Sequence, residues 1–164
     1  MAPSGTEDPA ARAEGLLRHE PVLWLSTASP DGRPHLVPIW FWWDGTSVLI
    51  ASKPNARKIA NLRANPDCML AIGDAAADFD VALIEARAQL TTLATRTLLD
   101  AGLFDKYRDR MLAIGLAHRE FEATYCQVIR ITPVRWLPWR GRTRGQGFDR
   151  ASASSPNALS AMPA

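Results

Sequence analysis

The sequence predicts a mainly β fold: an antiparallel sheet curled into a small barrel, with helices at its periphery. Three observations carry this. Short apolar runs recur and are separated by strong turn signals, as in Ser29-Pro30-Asp31-Gly32 and Asp44-Gly45. The long helical stretch comes late, at residues 95–119. Strands and helices do not alternate regularly, which argues against a doubly wound parallel sheet.

The elements follow in order. Ala13–Glu20 reads as a short helix with Leu16 and Leu17 as its apolar contacts, stopped by Pro21. Val22–Ala28 is an apolar strand, and the turn after it has Pro second and Gly fourth. His35–Trp43 is the next strand, Asp44-Gly45 a tight hairpin, and Ser47–Ser52 its return, so these three runs form an antiparallel meander. Asn55 is the expected N-cap of a helix whose inward stripe holds Ile59 and Leu62, with Pro66 just beyond its end. Cys68–Ile72 and Val81–Leu93 are strands on either side of an Asp-rich turn. Thr95–Arg119 is helical and breaks near Gly102; Tyr125–Trp139 is the last strand, interrupted by Pro133 and Pro138.

The chain has 164 residues and a formal net charge of +2, enough for one domain with a real core. The charge is uneven. Residues 140–164 hold four arginines against one aspartate, a surplus of three, which leaves the body one negative. That tail is rich in Gly, Ser, Ala and Pro and lacks the apolar surface to offset its ordering entropy, so residues 140–164 are expected to be disordered, like residues 1–12. The ordered domain is expected at 13–139. So weak a basic balance argues against a nucleic-acid partner or a polybasic membrane surface. No apolar run reaches the ~18 residues of a membrane span, and the N-terminal residues lack the pattern of a signal peptide. A cytoplasmic protein is expected, with Cys68 and Cys126 as core thiols.

The most informative segment is Ser52-Lys53-Pro54-Asn55-Ala56-Arg57-Lys58. Arg57 and Lys58 fall in the first turn of a helix, at the positive end of its dipole, where exposed cations cost about 0.3–1 kcal/mol each. A bound anion reverses that sign. Helix start, cations and the Ser52 hydroxyl together describe a phosphate site; a solvated basic turn is the other reading. No Gly-rich stretch precedes the segment, so it is not a P-loop.

Pro38 lies in the middle of an otherwise apolar strand, His35–Trp43. A central strand cannot accept proline without losing a ladder hydrogen bond, so this stretch is an edge, a bulge or a split. Free backbone groups there could meet a planar ring lying against Val37, Pro38, Ile39 and Trp40. Core or dimer-interface packing is the competing reading for Trp40, Trp42 and Trp43.

Other candidates fail. His35 follows Pro34 and reads as a rim residue; His19 and His118 have no partners at metal-ligand spacing. Asp74, Asp78 and Asp80 lack the Gly and distal Glu of a calcium loop. No nucleophile elbow, zinc pattern or dinucleotide fingerprint is present, so no catalytic side chain is assigned and no metal is expected. A reaction that needs no protein nucleophile fits this absence.

The runs Glu20–Thr27 and Pro30–Phe41, the block Ala56-Arg57-Lys58 with Asn61-Leu62-Arg63 and Asn65-Pro66, and the closing Val128–Ile131 with Pro133 and Arg135-Trp136 resemble the pyridoxamine-5'-phosphate-oxidase-like split-barrel family. Within it, the chain most resembles the branch of F420-dependent oxidoreductases. The resemblance covers roughly Leu16 to Trp139. It implies a six-stranded antiparallel split β-barrel of the FMN-binding type, a homodimer, and a cofactor groove between subunits. It implies that Arg57, Lys58 and Ser52 meet the cofactor phosphate and that Val37, Pro38, Ile39 and Trp40 face the ring. Lys53 is a further cation for the longer anionic tail of coenzyme F420. The implied activity is hydride transfer from F420 to an electron-poor small molecule such as an enone, quinone or tetrapyrrole. The alternatives are an FMN-dependent oxidase or reductase and a non-catalytic cofactor- or haem-binding module. Family members often place Gly in the strand after the acidic turn, where this chain has Ala86-Arg87. The longer substrate-binding C-terminus of pyridoxamine phosphate oxidase itself is not recognisable.

Overall fold

A computed structural model describes residues 8–74 and 80–137. The expected disorder of residues 1–7 and 140–164 therefore lies outside the described residues, as do Asp78, Pro138 and Trp139. Residues 9–12 correct the expectation of a loose start. Helix α1 spans Pro9–His19, because the Asp8 side chain accepts a hydrogen bond from the Ala10 N–H at 3.0 Å and Pro9 occupies the first helical position. Arg12 of this helix pairs with the Asp80 carboxylate and donates to the Val81 carbonyl at 3.3 Å. Buried Ala13 and Leu17 seat α1 on the barrel core.

Strand β1 (Leu23–Ala28) alternates, with Leu23, Leu25 and Thr27 inward and Trp24 exposed. The turn behind it needs Gly32, whose φ is 80°. Strand β2 (Pro34–Ile39) returns antiparallel to β1, with Trp24 opposite Pro38 and Leu25 opposite Val37. The run then breaks at Trp40-Phe41, and β3 (Trp42–Trp43) pairs with β4 (Val48–Ser52). With β5 (Asp67–Asp74), β6 (Asp80–Leu90) and β7 (Gln127–Leu137), the sheet order is β2-β1-β5-β6-β7-β4-β3. The single strand expected at 35–43 thus supplies both edges of one curled sheet. Among the described residues this makes seven strands instead of six, and two separate hairpins instead of a continuous meander.

Pro38 is tolerated because β2 is an edge strand. Pro133 is tolerated at a bulge: Glu85 pairs with Arg135 but Ala86 pairs with Pro133, leaving Val134 as the extra residue. The break at Trp40-Phe41 is held by Tyr107, fully buried. Its hydroxyl accepts from the Phe41 N–H at 2.9 Å and lies within donating distance of the Pro21 and Phe41 carbonyls, at 2.9 and 3.0 Å.

Helix α2 is Arg57–Ala64, and its N-cap is Ala56. The expectation of Asn55 is corrected because a turn, closed by the Ala56 N–H to the Lys53 carbonyl at 3.1 Å, carries the chain one residue further before helical bonding begins. Ile59 and Leu62 are buried as the stripe predicts, and buried Asn61 donates to the Thr27 hydroxyl at 2.9 Å.

The late helical region is α3 (Thr95–Leu98), a kinked turn at Leu99–Leu103, α4 (Phe104–Ala113) and α5 (His118–Thr124). The expected break falls at Gly102, with φ 131°. A Cβ there would lie 2.6 Å from Cη2 of Trp42, so both backbone and packing require glycine. This insertion builds its own cluster from Leu98, Leu99, Leu103, Tyr107, Met111 and Phe121 against Leu49 and Val128 of the sheet. The other core fills the barrel.

Of the two expected core thiols, Cys68 packs against the barrel core and Cys126 departs from expectation. Cys68 is half-buried, its thiol pushed up to about 12 chiefly by burial and then by the Asp67 charge. Cys126 is exposed, since it sits at the helix-to-strand corner before β7 and not within the strand.

Candidate functional site

A cleft of about 430 Å³ opens where three pieces of chain meet. The end of β2 contributes Pro38, Ile39 and Trp40. The segment from β4 into α2 contributes Ala51, Lys53, Ala56 and Lys58. The far wall is the insertion, with Leu103, Ile114, Leu116, Phe121 and Tyr125. Trp40 is braced from behind by Tyr107, the rings stacked at 4.7 Å and 9°.

A second, smaller cleft of about 160 Å³ is polar: Ser29, Asp31, Arg33, Pro34, His35, Arg57 and Asn61 line it. Arg33 is paired with Asp31 at 2.9 Å. His35 is half-buried, and its Nδ1 is buried with no hydrogen-bond partner among the described residues.

The structure therefore separates the sequence-predicted residues. Pro38, Ile39, Trp40, Lys53 and Lys58 come together in the large cleft. Arg57 lines the small one, so the consecutive cations of one helical turn serve two clefts. Val37 packs against the barrel core and lines neither cleft. Ser52 is buried, and its hydroxyl donates to the Lys53 carbonyl at 3.2 Å. Nothing in the sequence marks residues 103–125 as a cleft wall, because apolar residues at helical spacing look the same whether they face a core or a ligand. His35, expected at a rim, lies in a cleft beside Arg57.

Electrostatics mark the same turn of helix. Lys58 is half-buried, and burial holds its ammonium below the usual lysine range. Neither Lys53 nor Lys58 has a carboxylate partner among the described residues. Lys53 Nζ sits 5.8 Å from the centroid of the Tyr125 ring. No side chain caps α2, so its first-turn N–H groups lack the usual acceptor. A desolvated lysine, an uncapped helix start and an adjoining apolar slot suit a planar ligand that carries an anionic group. Among the described residues no cluster of His, Cys, Asp and Glu could hold a metal ion.

A curled antiparallel sheet with an inserted helical wall and a slot at its β2 edge defines the split-barrel class. A family model for pyridoxamine 5'-phosphate oxidase matches residues 9–140, and the chain belongs to that family. No curated protein sequence matches the chain. Among solved structures, the fold is similar to one named F420 reductase, with TM-score 0.63 and 21% identity over 77% of this chain and 96% of that one. It is similar to an FAD-binding protein of Mesorhizobium loti, with TM-score 0.56 and 17% identity over 77% of this chain and 91% of that one. It is also similar to the haem storage protein HutZ of Vibrio cholerae, with TM-score 0.56 and 16% identity over 76% of this chain and 89% of that one. At such identities the likeness carries the fold alone. Among the described residues no helix is long and apolar enough to cross a membrane.

Proposed function

We propose that the protein is an oxidoreductase that holds the deazaflavin coenzyme F420 and reduces an electron-poor small molecule. The observation that carries this reading is the pairing of an apolar slot at Pro38–Trp40 with uncompensated cations at the start of α2. Pro38, Ile39 and Trp40 would lie against the ring. Lys58, with Arg57 on the other side of the same turn, would hold the phosphate, and Lys53 the acidic tail. The chemistry that reduced F420 supplies is hydride donation to an enone, quinone or tetrapyrrole-like acceptor. The chain's own residues bind, orient and exclude water, so the lack of an assigned catalytic side chain fits. Proton delivery from solvent completes the balance.

FMN is the competing cofactor and is tested in the same titration. Its phosphate would meet the same cations, but it has no acidic tail for Lys53 to meet. A haem module is disfavoured because none of the described residues lining the large cleft is a histidine. We further propose a homodimer with the groove at the interface, supported by exposed Trp24 and Leu36, with Pro38 beside them, on the outer face of β1 and β2.

Purified protein is titrated with F420 and with FMN, each followed by absorbance and calorimetry. F420 binding that weakens in the double variant Arg57→Ala, Lys58→Ala, by about 1.5–3 kcal/mol for each charge-assisted hydrogen bond removed, supports the reading. No binding of F420, or affinity unchanged in the double variant, overturns it. Light scattering tests the dimer; a monomer at micromolar concentration removes that part.

A further inference from the structure

Of the chain's 19 basic residues only Lys53, Lys58 and Lys106 are lysines; the rest are arginines. Lys53 and Lys58 line the large cleft. Lys106 lies on α4, lines neither cleft and has no part in the proposed site.

Its setting is unusual for an ammonium. Nζ sits 3.7 Å from the centroid of the Phe41 ring and 5.6 Å from that of Tyr107, so two aromatic rings replace part of its water shell. The side chain is half-buried, and among the described residues it makes no hydrogen bond and no ion pair. Glu20, just past the end of α1, acts on it only from beyond ion-pair distance. On its own helix Asp105 is taken by Arg108, and Asp109 makes no ion pair among the described residues. Arg110, one helical turn on, likewise has no carboxylate partner among the described residues. A poorly hydrated ammonium without a counter-ion favours its neutral form, and burial lowers this one to about 8. The neutral amine is the nucleophile.

We propose that Lys106 is an acyl-acceptor site, modified by small activated acyl groups on a phosphate-bearing carrier, either an acyl phosphate or a thioester of coenzyme A. Nζ attacks the acyl carbonyl carbon. A C–N bond forms, the C–O or C–S bond to the carrier breaks, phosphate or thiol leaves, and the proton shed by nitrogen passes to solvent. Arg110 meets the carrier's phosphate. The amide product carries no charge, so the cation–π contact with Phe41 is lost at the strand break beside Trp40.

The test uses the whole protein and an internal control, since Lys53 is exposed. Purified protein is incubated near neutral pH with acetyl phosphate and, separately, with acetyl-coenzyme A, and acetylation at each lysine is followed by mass spectrometry. At about pH 7.5 an amine of pKa about 8 is roughly one-quarter neutral, an ordinary lysine roughly one-thousandth. Lower basicity makes the amine a weaker nucleophile and gives back part of that advantage, so Lys106 is expected to react about tenfold faster than Lys53. Its rate should level off above about pH 8, while that of Lys53 keeps rising. Glu20→Gln removes the opposing charge and should speed Lys106 without changing Lys53. Reaction with one donor alone supports the proposal and identifies the carrier. Lys106 reacting no faster than Lys53 with either donor, or its rate still climbing in parallel with Lys53 above pH 9, overturns it.

Discussion

Tyr107→Phe removes one oxygen from the centre of the molecule and leaves the ring that braces Trp40. The hydroxyl accepts from the Phe41 N–H at 2.9 Å and can donate to either the Pro21 or the Phe41 carbonyl. Having one proton, it satisfies one of them at a time. The substitution strands a buried N–H, which costs about 1–3 kcal/mol, and forfeits a hydrogen bond to a carbonyl worth about 0.5–1.5 kcal/mol net. The expected loss is therefore about 2–4 kcal/mol. Burial pushes the phenol up to about 12, so it stays protonated through neutral pH and the loss should not vary between about pH 6 and 9. Guanidinium unfolding should show a lower midpoint at unchanged slope. Amide exchange at Phe41 should accelerate in step. A loss under about 0.5 kcal/mol with Phe41 still protected would show that the hydroxyl does not hold the strand break.

Gly102→Ala should cost about 2–4 kcal/mol from left-handed strain and the clash with Trp42, and Trp42→Leu in the same chain should recover the part due to the clash; thermal unfolding of the three variants decides. Lys58 is held low by burial, so an anion bound beside it should raise its pKa. Binding should then take up protons, and affinity should fall as pH rises through the bound-state value; calorimetry in buffers of different ionisation heat reads this. Lys106 is lowered to about 8, mainly by burial, with Glu20 opposing and the Phe41 ring 3.7 Å from its ammonium. The unfolded chain then holds more protons than the folded one between about 8 and 10.5, so this group makes stability rise across that window. Lys106→Met should flatten the rise, and an unchanged pH slope would refute it.

How much of this is legible in the sequence depends on range. Turn chemistry is local, so Gly32, the hairpin at Asp44-Gly45 and the kink at Gly102 can be read from a few residues. Proline in an apolar run signals an edge or split at Pro38, and β2 is both an edge strand and half of a split run. What cannot be read is which sheet edge each half joins, because that depends on pairings far along the chain. The same limit applies to the site. Arg57 and Lys58 share one helical turn as expected, but the side each cation takes depends on where His35 and Tyr125 arrive. The wall from Leu103 to Phe121 carries only the periodicity of an ordinary packed helix. Cys126 misleads for the opposite reason, a local apolar pattern that tertiary placement overrides.

The strand order has a consequence for assembly. Strands β2, β1, β5 and β6 form one contiguous piece, β3 and β4 another, and β7 is the sole strand that hydrogen-bonds to both, through Ala88↔Ile131 on one side and Ile50↔Ile129 on the other. Among the described elements it is also last in the chain. During synthesis both halves can leave the ribosome and pair internally, yet they have no shared ladder until β7 emerges. The cleft draws on both halves, so binding competence should appear abruptly once β7 has emerged and not accumulate along the strands before it.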